Sequence, residues 1–459
     1  MLRRWQKDCV KETLQCFDNK KNVFILAAPG SGKTLTASHI AKRLIDEGRV
    51  DYIVCFSPSR MVSTSIQRTF EKVLGRPFNG HLGAIGVSKT YHSMSVSHEL
   101  LDNLSMSRVL VVFDEIHHCA GNGDSPANAW GMKLLATIQH LATYTLSLSG
   151  TPWRTDSLPI PLASYLENDG SIKCDFVYGL KEAIQDKSCR LPQIVAVDVD
   201  KVMVRKDQQS HFYDSIESML ESENVNYRMI LNHPEVIQFM LELSIKKLDF
   251  LREKSPNAGG LVVASSYAHA LKIQAILDGY FGKRSTLVSC RVDDSTELID
   301  TFREGSTEWV ISIAMISEGT DIPRLQVCCN LTDVTTELYF RQILGRVLRM
   351  TDSHEKIGFM YMLAEPSLVE YAERLNEDVP GAYNYIKSEG VLDSINVDIK
   401  TPSINVEPSC RPPIDSDSGL EGVDFLSGNE KDFYHVMPIS DIHMNSFKTK
   451  IISFYEASL

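Results

Sequence analysis

Short apolar runs, each closed by Gly, Pro, Ser or Asp, alternate along most of the chain with longer amphipathic stretches. Residues 23–26, 52–56, 109–113 and 143–148 read as buried strands, with a weaker candidate at 83–87. Helical spacing of apolar positions predicts helices over 9–17, 35–47 and 63–73. After a mixed stretch with a helix opening near 178–183, residues 194–199 alternate as a strand. Residues 205–254 then read as predominantly helical and charged. The rhythm restarts at 259–264 and continues through strands at 285–288, 310–315, 325–330 and 359–363. Helices are predicted between them at 267–280, 295–303, 336–350 and 367–376. Strands alternating with helices twice over predict an α/β fold of two doubly wound parallel sheets. Past about residue 379 the alternation stops. Residues 399–428, rich in Pro, Ser, Gly and Asp, are expected to be irregular. Residues 433–459 regain apolar and aromatic side chains, as a segment that docks on the body or on a partner would. The expected divisions are 1–195, a helical connector at 196–256, 257–380, and an extension at 381–459.

At 459 residues the chain has ample length for more than one core. No apolar run approaches the roughly 20 residues that span a bilayer, so no membrane role is expected. The first twelve residues lack the apolar segment of a secretory signal. Ten cysteines without a C-x-x-C pair predict reduced thiols in the cytoplasm and no zinc site. The net charge of −12 withdraws composition as support for nucleic-acid binding. Eleven acidic and five basic residues from Gly390 onward account for half of it, so a local basic groove elsewhere is not excluded.

The chemistry is concentrated where strands end. VFILAAPGSGKT, at 23–34, is a strand breaking into a glycine-rich loop and then a helix. Its backbone N–H groups at Ala28, Pro29–Ser31 and Gly32 would, proline apart, close round a polyphosphate; Gly30 and Gly32 permit that approach. Lys33 would reach the β- and γ-phosphates, and the Thr34 hydroxyl would ligate Mg²⁺. Ala27 stands where the usual pattern has its first glycine. The run 109–113 delivers Asp114, placed for Mg²⁺, and Glu115, placed to deprotonate a water; His117 follows as a relay to another domain. Ser149-Gly150-Thr151 ends the next strand as a small coupling turn. Arg60, Lys89 and Thr90 lie at strand ends where open sheets bind ligands. Arg346 and Arg349 are expected on one helical face with Gln342 a turn behind. Gly345 among them weakens a helix and suggests close approach by another element. Gln6 has the amide to read adenine.

Taken in order, these stations resemble those of superfamily 2 helicases and translocases of the DExH type, over residues 2–365. Gln6 is similar to the adenine-reading glutamine motif and AAPGSGKT to motif I; Ser57–Arg60 and Thr90 resemble motifs Ia and Ib. Asp114–His117, DEIH, resembles motif II, and Ser149-Gly150-Thr151 motif III. The segment around Ser265–His269 is similar to motif IV, Ser317–Asp321 to motif V, and Gln342-x-x-Gly345-Arg346-x-x-Arg349 to motif VI. DEIHH, SGTPWR and SEGTDIP look most like the restriction-enzyme motor subunits and the bacterial and phage DNA-repair helicases. The resemblance implies two RecA-like domains with ATP and Mg²⁺ between them. Arg346 and Arg349 would then be arginine fingers, and Gly319 and Asp321 would complete the site near the ribose. It also implies a nucleic-acid track, DNA in preference to RNA, met by Arg60, Lys89, Thr90 and Ser265. A protein partner would bind through the connector or the extension. A rival reading is an ATP-gated switch that binds nucleic acid and recruits a nuclease without unwinding. A P-loop kinase or transporter ATPase would leave the Gln342–Arg349 segment unexplained.

Overall fold

In the computed structural model, residues 2–91, 93, 107–116, 137–138, 140–150, 164–165, 172–206, 209–221, 225–289, 295–313, 322–350, 356–378, 383–393 and 442–454 are described. The first sheet holds six strands: β1 (Asn22–Ala27), β2 (Tyr52–Ser57), β3 (Gly86–Thr90), β4 (Val109–Asp114), β5 (Tyr144–Ser149) and β8 (Phe176–Tyr178). Their order is β3-β2-β4-β5-β1-β8, and all pairings are parallel. A two-stranded antiparallel ribbon, β6 (Ser164–Tyr165) with β7 (Ile172–Lys173), stands apart. β4 is buried at every position, as a central strand covered on both faces must be. Helices α1 (Arg4–Asn19), α2 (Lys33–Asp46) and α3 (Arg60–Leu74) pack successively against one another. α1 buries Cys9, Val10, Thr13, Leu14 and Phe17, the three-and-four spacing that gives a helix one apolar stripe. The strand expected at 83–87 is displaced to Gly86–Thr90. The partners Ile53 to Ser57 on β2 set that register, and they carry Lys89 and Thr90 into the strand.

The second sheet has nine strands. Its parallel part comprises β12 (Ser285–Val288), β13 (Trp309–Ser312), β11 (Gly259–Ala264), β14 (Leu325–Leu331), β15 (Ile357–Leu363) and β9 (Leu191–Lys206), in that order. Beyond β9 it continues antiparallel through β17 (Ile442–Phe454) and β16 (Tyr383–Asp393), while β10 (Gln209–Tyr213) folds back on β9. The described helices of this half are α4 (Leu180–Gln185) leading into it, α5 (Ile216–Leu220), α6 (Tyr227–Leu231) and α7 (Pro234–Lys254). They continue with α8 (Tyr267–Ala275), α9 (Ser295–Glu304), α10 (Glu337–Val347) and α11 (Pro366–Asp378). The two parallel sheets are similar to those of tandem RecA-like domains.

Two expectations change here. The sheet of the second half begins at Leu191, inside the expected first division. Residues 196–256 are also not a separate helical connector. Their first part is the β9–β10 hairpin, and α7 lies on β11, β14 and β15 through Val236, Met240, Leu241, Ile245 and Leu248. Residues 209–213 carry no apolar alternation, and Ser210, His211 and Phe212 are exposed, so it is pairing with β9 that makes them a strand. Of the extension, 383–393 and 442–454 are described, and the stretch 399–428 expected to be irregular lies outside the described residues. β17 runs antiparallel along β9 from Ile442 to Ser453 and buries Met444, Phe447 and Ile452. The apolar tail thus docks on the body, as its composition suggested. No helix among the described residues is long and apolar enough to cross a membrane.

Candidate active site

β1 ends at Ala27 and the chain turns back into α2 within five residues. The turn is fixed at both sides: Ala28 N–H donates to the Tyr178 carbonyl (2.8 Å) and Ser31 N–H to the Ala28 carbonyl (3.2 Å). Gly30 (φ 76°) and Gly32 (φ 102°) occupy the left-handed region that the reversal needs. Gly32 caps α2 without a side chain, so no cap takes up the first-turn N–H groups. Ser31 Oγ is buried without a hydrogen-bond partner, and Thr34 is half-buried on the first turn.

The start of α2 and the end of β4 deliver charge to this loop, and the end of β5 walls it. Lys33 Nζ is 3.0 Å from Glu115 Oε1 and donates to the Ala27 carbonyl at 3.2 Å. Glu115 follows β4 at φ 50°, a sparsely populated conformation of the kind found at functional sites. Its Oε2 accepts Gly150 N–H at 3.0 Å, just past the buried Ser149 at the end of β5. A Cβ on Gly150 would stand 3.1 Å from Lys33 Nζ and 3.3 Å from Pro29 Cγ, so the turn after β5 is part of the loop's wall. Asp114 is buried at the end of β4, and its carbonyl accepts the Tyr91 hydroxyl at 2.7 Å.

The second half of the molecule closes the other side. A Cβ on Gly345 of α10 would lie 2.6 Å from Pro29 Cβ, and one on Gly30 would lie 2.9 Å from Arg349 Cγ. The glycine that weakens α10 is therefore where α10 meets the P-loop. Gln342 and Arg346 are buried on the same helix. Arg349 is not on it: α10 stops at Val347, and Arg349 pairs with Cys189 in an isolated antiparallel bridge. The Leu348 carbonyl is taken by Arg190 N–H at 2.7 Å, which draws the chain out of the helix. Arg346 and Arg349 thus come from a helix end and the segment after it, not from one helical face.

Gln6 is also in the site. It is 2 % exposed, accepts Arg3 N–H at Oε1 (2.9 Å) and donates from Nε2 to the Gly32 carbonyl (3.3 Å). Beside it Trp5 stacks on Tyr178 at 4.3 Å, and burial pushes the Tyr178 hydroxyl up to about 12. Of the residues expected to meet nucleic acid, Arg60 is exposed as the first residue of α3. Lys89 and Thr90 end β3, where Thr90 pairs with Ser57 of β2. These three share one edge of the first sheet. Ser265 does not join them: it is 2 % exposed and its hydroxyl lies 2.8 Å from His269 Nδ1. Ser266 caps α8 and folds His269 back over Ser265, which the sequence pattern does not reveal. His117, Thr151, Gly319 and Asp321 lie outside the described residues.

Sequence reasoning passed over Arg190, Tyr91 and Tyr178. No spacing marks them, since each acts through a contact with a distant segment. Among the described residues, no group of three or more His, Cys, Asp and Glu side chains is placed to hold a metal ion by itself.

Residues 1–154 match the family model described as "Type III restriction enzyme, res subunit". A fragment of a putative HsdR subunit of a type I restriction enzyme from Vibrio vulnificus YJ016 superposes with a TM-score of 0.56. It is 16% identical, over 81% of this chain and 66% of that one. The DNA 3'-5' translocase XPB2 of Sulfurisphaera tokodaii is 22% identical over 383 residues, 76% of this chain and 79% of that protein. The chain is similar to superfamily 2 helicases. This helicase-like chain is also 29% identical over 390 residues to an uncharacterized protein of Mycobacterium leprae, across 82% of its own length. It spans 64% of the length of that mycobacterial relative.

Proposed function

We propose that the chain is an ATP hydrolase that turns closure of its two RecA-like halves into movement along nucleic acid, with DNA the favoured track. The contact of α10 and Arg349 with Pro29 and Gly30 carries this reading, because it makes one site from two halves. The residues fit a magnesium–nucleotide: a loop reversed by two left-handed glycines, an uncapped helix start, the buried Ser31 hydroxyl, a buried carboxylate and an ammonium group converge. Bound there, magnesium would polarise the phosphoryl oxygens and neutralise charge that develops on them. Thr34 and Asp114 would hold the metal ion, and the α2 N-terminus and Lys33 the phosphates. Gln6 would read the adenine, for which it must give up part of its present bonding. Lys33 leaves Glu115 when it turns to the phosphates, and the freed carboxylate accepts a proton from the attacking water. Arg346 and Arg349 would place positive charge on the side opposite the P-loop. Gln342, Ser149, Thr151 and His117 would pass the state of the site to the faces that hold the track. Gly319 and Asp321 would approach the ribose.

The relative named as a DNA 3'-5' translocase is the reason to favour DNA as the track. Arg60, Lys89 and Thr90 at one sheet edge supply the backbone contacts. Arg346→Ala is expected to abolish most hydrolysis and keep most nucleotide affinity, measured by steady-state turnover beside titration with a fluorescent nucleotide. Unaltered hydrolysis would remove Arg346 from the finger role. A strand-displacement assay run beside the turnover assay separates a motor from a switch that only recruits a partner.

A further inference from the structure

Arg190 belongs to none of the motifs, yet it is among the largest fully buried side chains of the molecule, at 0% exposure. Burying a guanidinium is costly unless its donors are met with good geometry. Here Nη1 donates to the Leu325 carbonyl (2.9 Å) and the Val347 carbonyl (3.1 Å), and reaches the Pro323 carbonyl at 3.4 Å. Those acceptors come from the segment before β14, from β14 itself and from the last turn of α10, whose carbonyls lack helical partners and carry the negative end of the helix dipole. The Arg190 N–H takes the next carbonyl, Leu348, at 2.7 Å, and Cys189 bridges to Arg349. The two peptides that precede Arg349 are therefore held by one residue. On the other side the same segment is tied to the P-loop half. Tyr178 Oη lies 2.9 Å from Ser188 Oγ, Arg3 donates to the Ser188 carbonyl at 3.4 Å, and the Tyr178 carbonyl accepts Ala28 N–H at 2.8 Å.

We propose that Arg190 is a positioning residue for Arg349, and that the strap Ser188–Arg190 sets where Arg349 sits over Gly30. The inference rests on the finger role proposed for Arg349 above. Arg190→Lys keeps the charge but ends one bond short of Nη1, the nitrogen that meets the Leu325, Val347 and Pro323 carbonyls, so lysine cannot hold the same three acceptors in place.

The test is a double-mutant cycle of Arg190→Lys with Arg349→Ala, read as kcat and KM for ATP with saturating DNA duplex, beside thermal melting. Arg190→Lys alone should lower kcat by roughly 10- to 100-fold, the scale of a displacement of about 1 Å at a reacting centre, with KM within about twofold. In the Arg349→Ala background it should cost nothing further. An unchanged kcat for Arg190→Lys, or the same fold-loss in both backgrounds, overturns the inference and leaves the finger intact. Normal hydrolysis by Arg349→Ala alone overturns the finger itself, and the inference with it. If Arg190→Lys melts below the assay temperature, Tyr178→Phe carries the same cycle. It loosens the strap at Ser188 and keeps the stack on Trp5. A kcat loss absorbed by Arg349→Ala supports the strap, and an unaltered kcat overturns it.

Discussion

Replacing Gly345 by alanine sets helix stability against the contact between the two halves of the molecule. Within α10 the substitution should be favourable, because glycine costs a helix interior about 1 kcal/mol relative to alanine. Against the P-loop it should not be. The new Cβ would lie 2.6 Å from Pro29 Cβ and 3.4 Å from Pro29 Cγ. Carbon atoms settle at about 3.5–4.0 Å, so α10 and the loop must part by about 1 Å. Pro29 is a rigid ring on a backbone held by neighbouring hydrogen bonds, and it has no rotamer into which to retreat. The displacement carries Arg346 and, two residues beyond α10, Arg349 with it. At a reacting centre about 1 Å of misplacement costs on the order of 100-fold in rate. Gly345→Ala is therefore expected to melt at or above the wild-type temperature and to hydrolyse ATP roughly 100-fold more slowly. Thermal melting by circular dichroism and a coupled ATPase assay with saturating duplex DNA give the two readings. A kcat within about twofold of wild type would refute the closeness of α10 and the P-loop as a requirement for hydrolysis. A lowered melting temperature with normal kcat would make Gly345 a packing residue only.

Other outcomes follow from the same contacts. Glu115→Gln should retain nucleotide binding and lose hydrolysis by roughly 100- to 10,000-fold, the range for removal of a general base, in single-turnover measurements. Turnover near wild type would overturn that role. Gln6→Ala leaves Arg3 N–H and the Gly32 carbonyl without their buried partner, and should cost about 1–3 kcal/mol of stability. It should also narrow the ratio of ATP to GTP turnover; an unchanged ratio would remove base reading from Gln6. His269 is held down to about 4 by burial first and by the nearby Lys272 and Arg228 charges. The unfolded chain, titrating near the ordinary value of 6.5, then binds a proton that the folded chain refuses. Stability from this group is complete above about pH 6.5 and is lost as pH falls towards 4, by on the order of 3 kcal/mol. Melting of wild type and His269→Asn at pH 7 and pH 5 checks this: the variant should lose less stability on acidification, and an equal loss would assign the effect elsewhere.

The parallel cores were legible because both of their faces are covered, so their strands read as continuous apolar runs whatever surrounds them. β4 and β14 are buried at every position and stand out on that ground alone. The P-loop was legible for a different reason, since its glycines and lysine serve the loop itself and depend on no distant partner. The close approach at Gly345 was visible as a residue that harms its own helix, although its partner, Pro29, was not. Where contacts rather than periodicity decide the structure, the sequence was silent. α10 ends at Val347 because Arg190 and Cys189 capture the peptides beyond it, about 160 residues earlier in the chain. Ser265 turns inward because His269 folds back on it. β10 was not legible because its residues do not alternate and Ser210, His211 and Phe212 are exposed; only pairing with β9 makes it a strand. β17 could be read as apolar but not placed, because its partner strand lies 250 residues upstream.

The central claim is that the loop at Ala28–Thr34 and the segment bearing Arg346 and Arg349 form one ATP site whose turnover is coupled to a nucleic-acid track. Steady-state ATPase of the purified chain with no polymer, single-stranded DNA, duplex DNA, forked DNA and RNA tests it most directly. Slow hydrolysis without polymer and a marked rise with DNA, larger than with RNA, is the predicted result. Hydrolysis indifferent to every polynucleotide, or none under any condition, would contradict it.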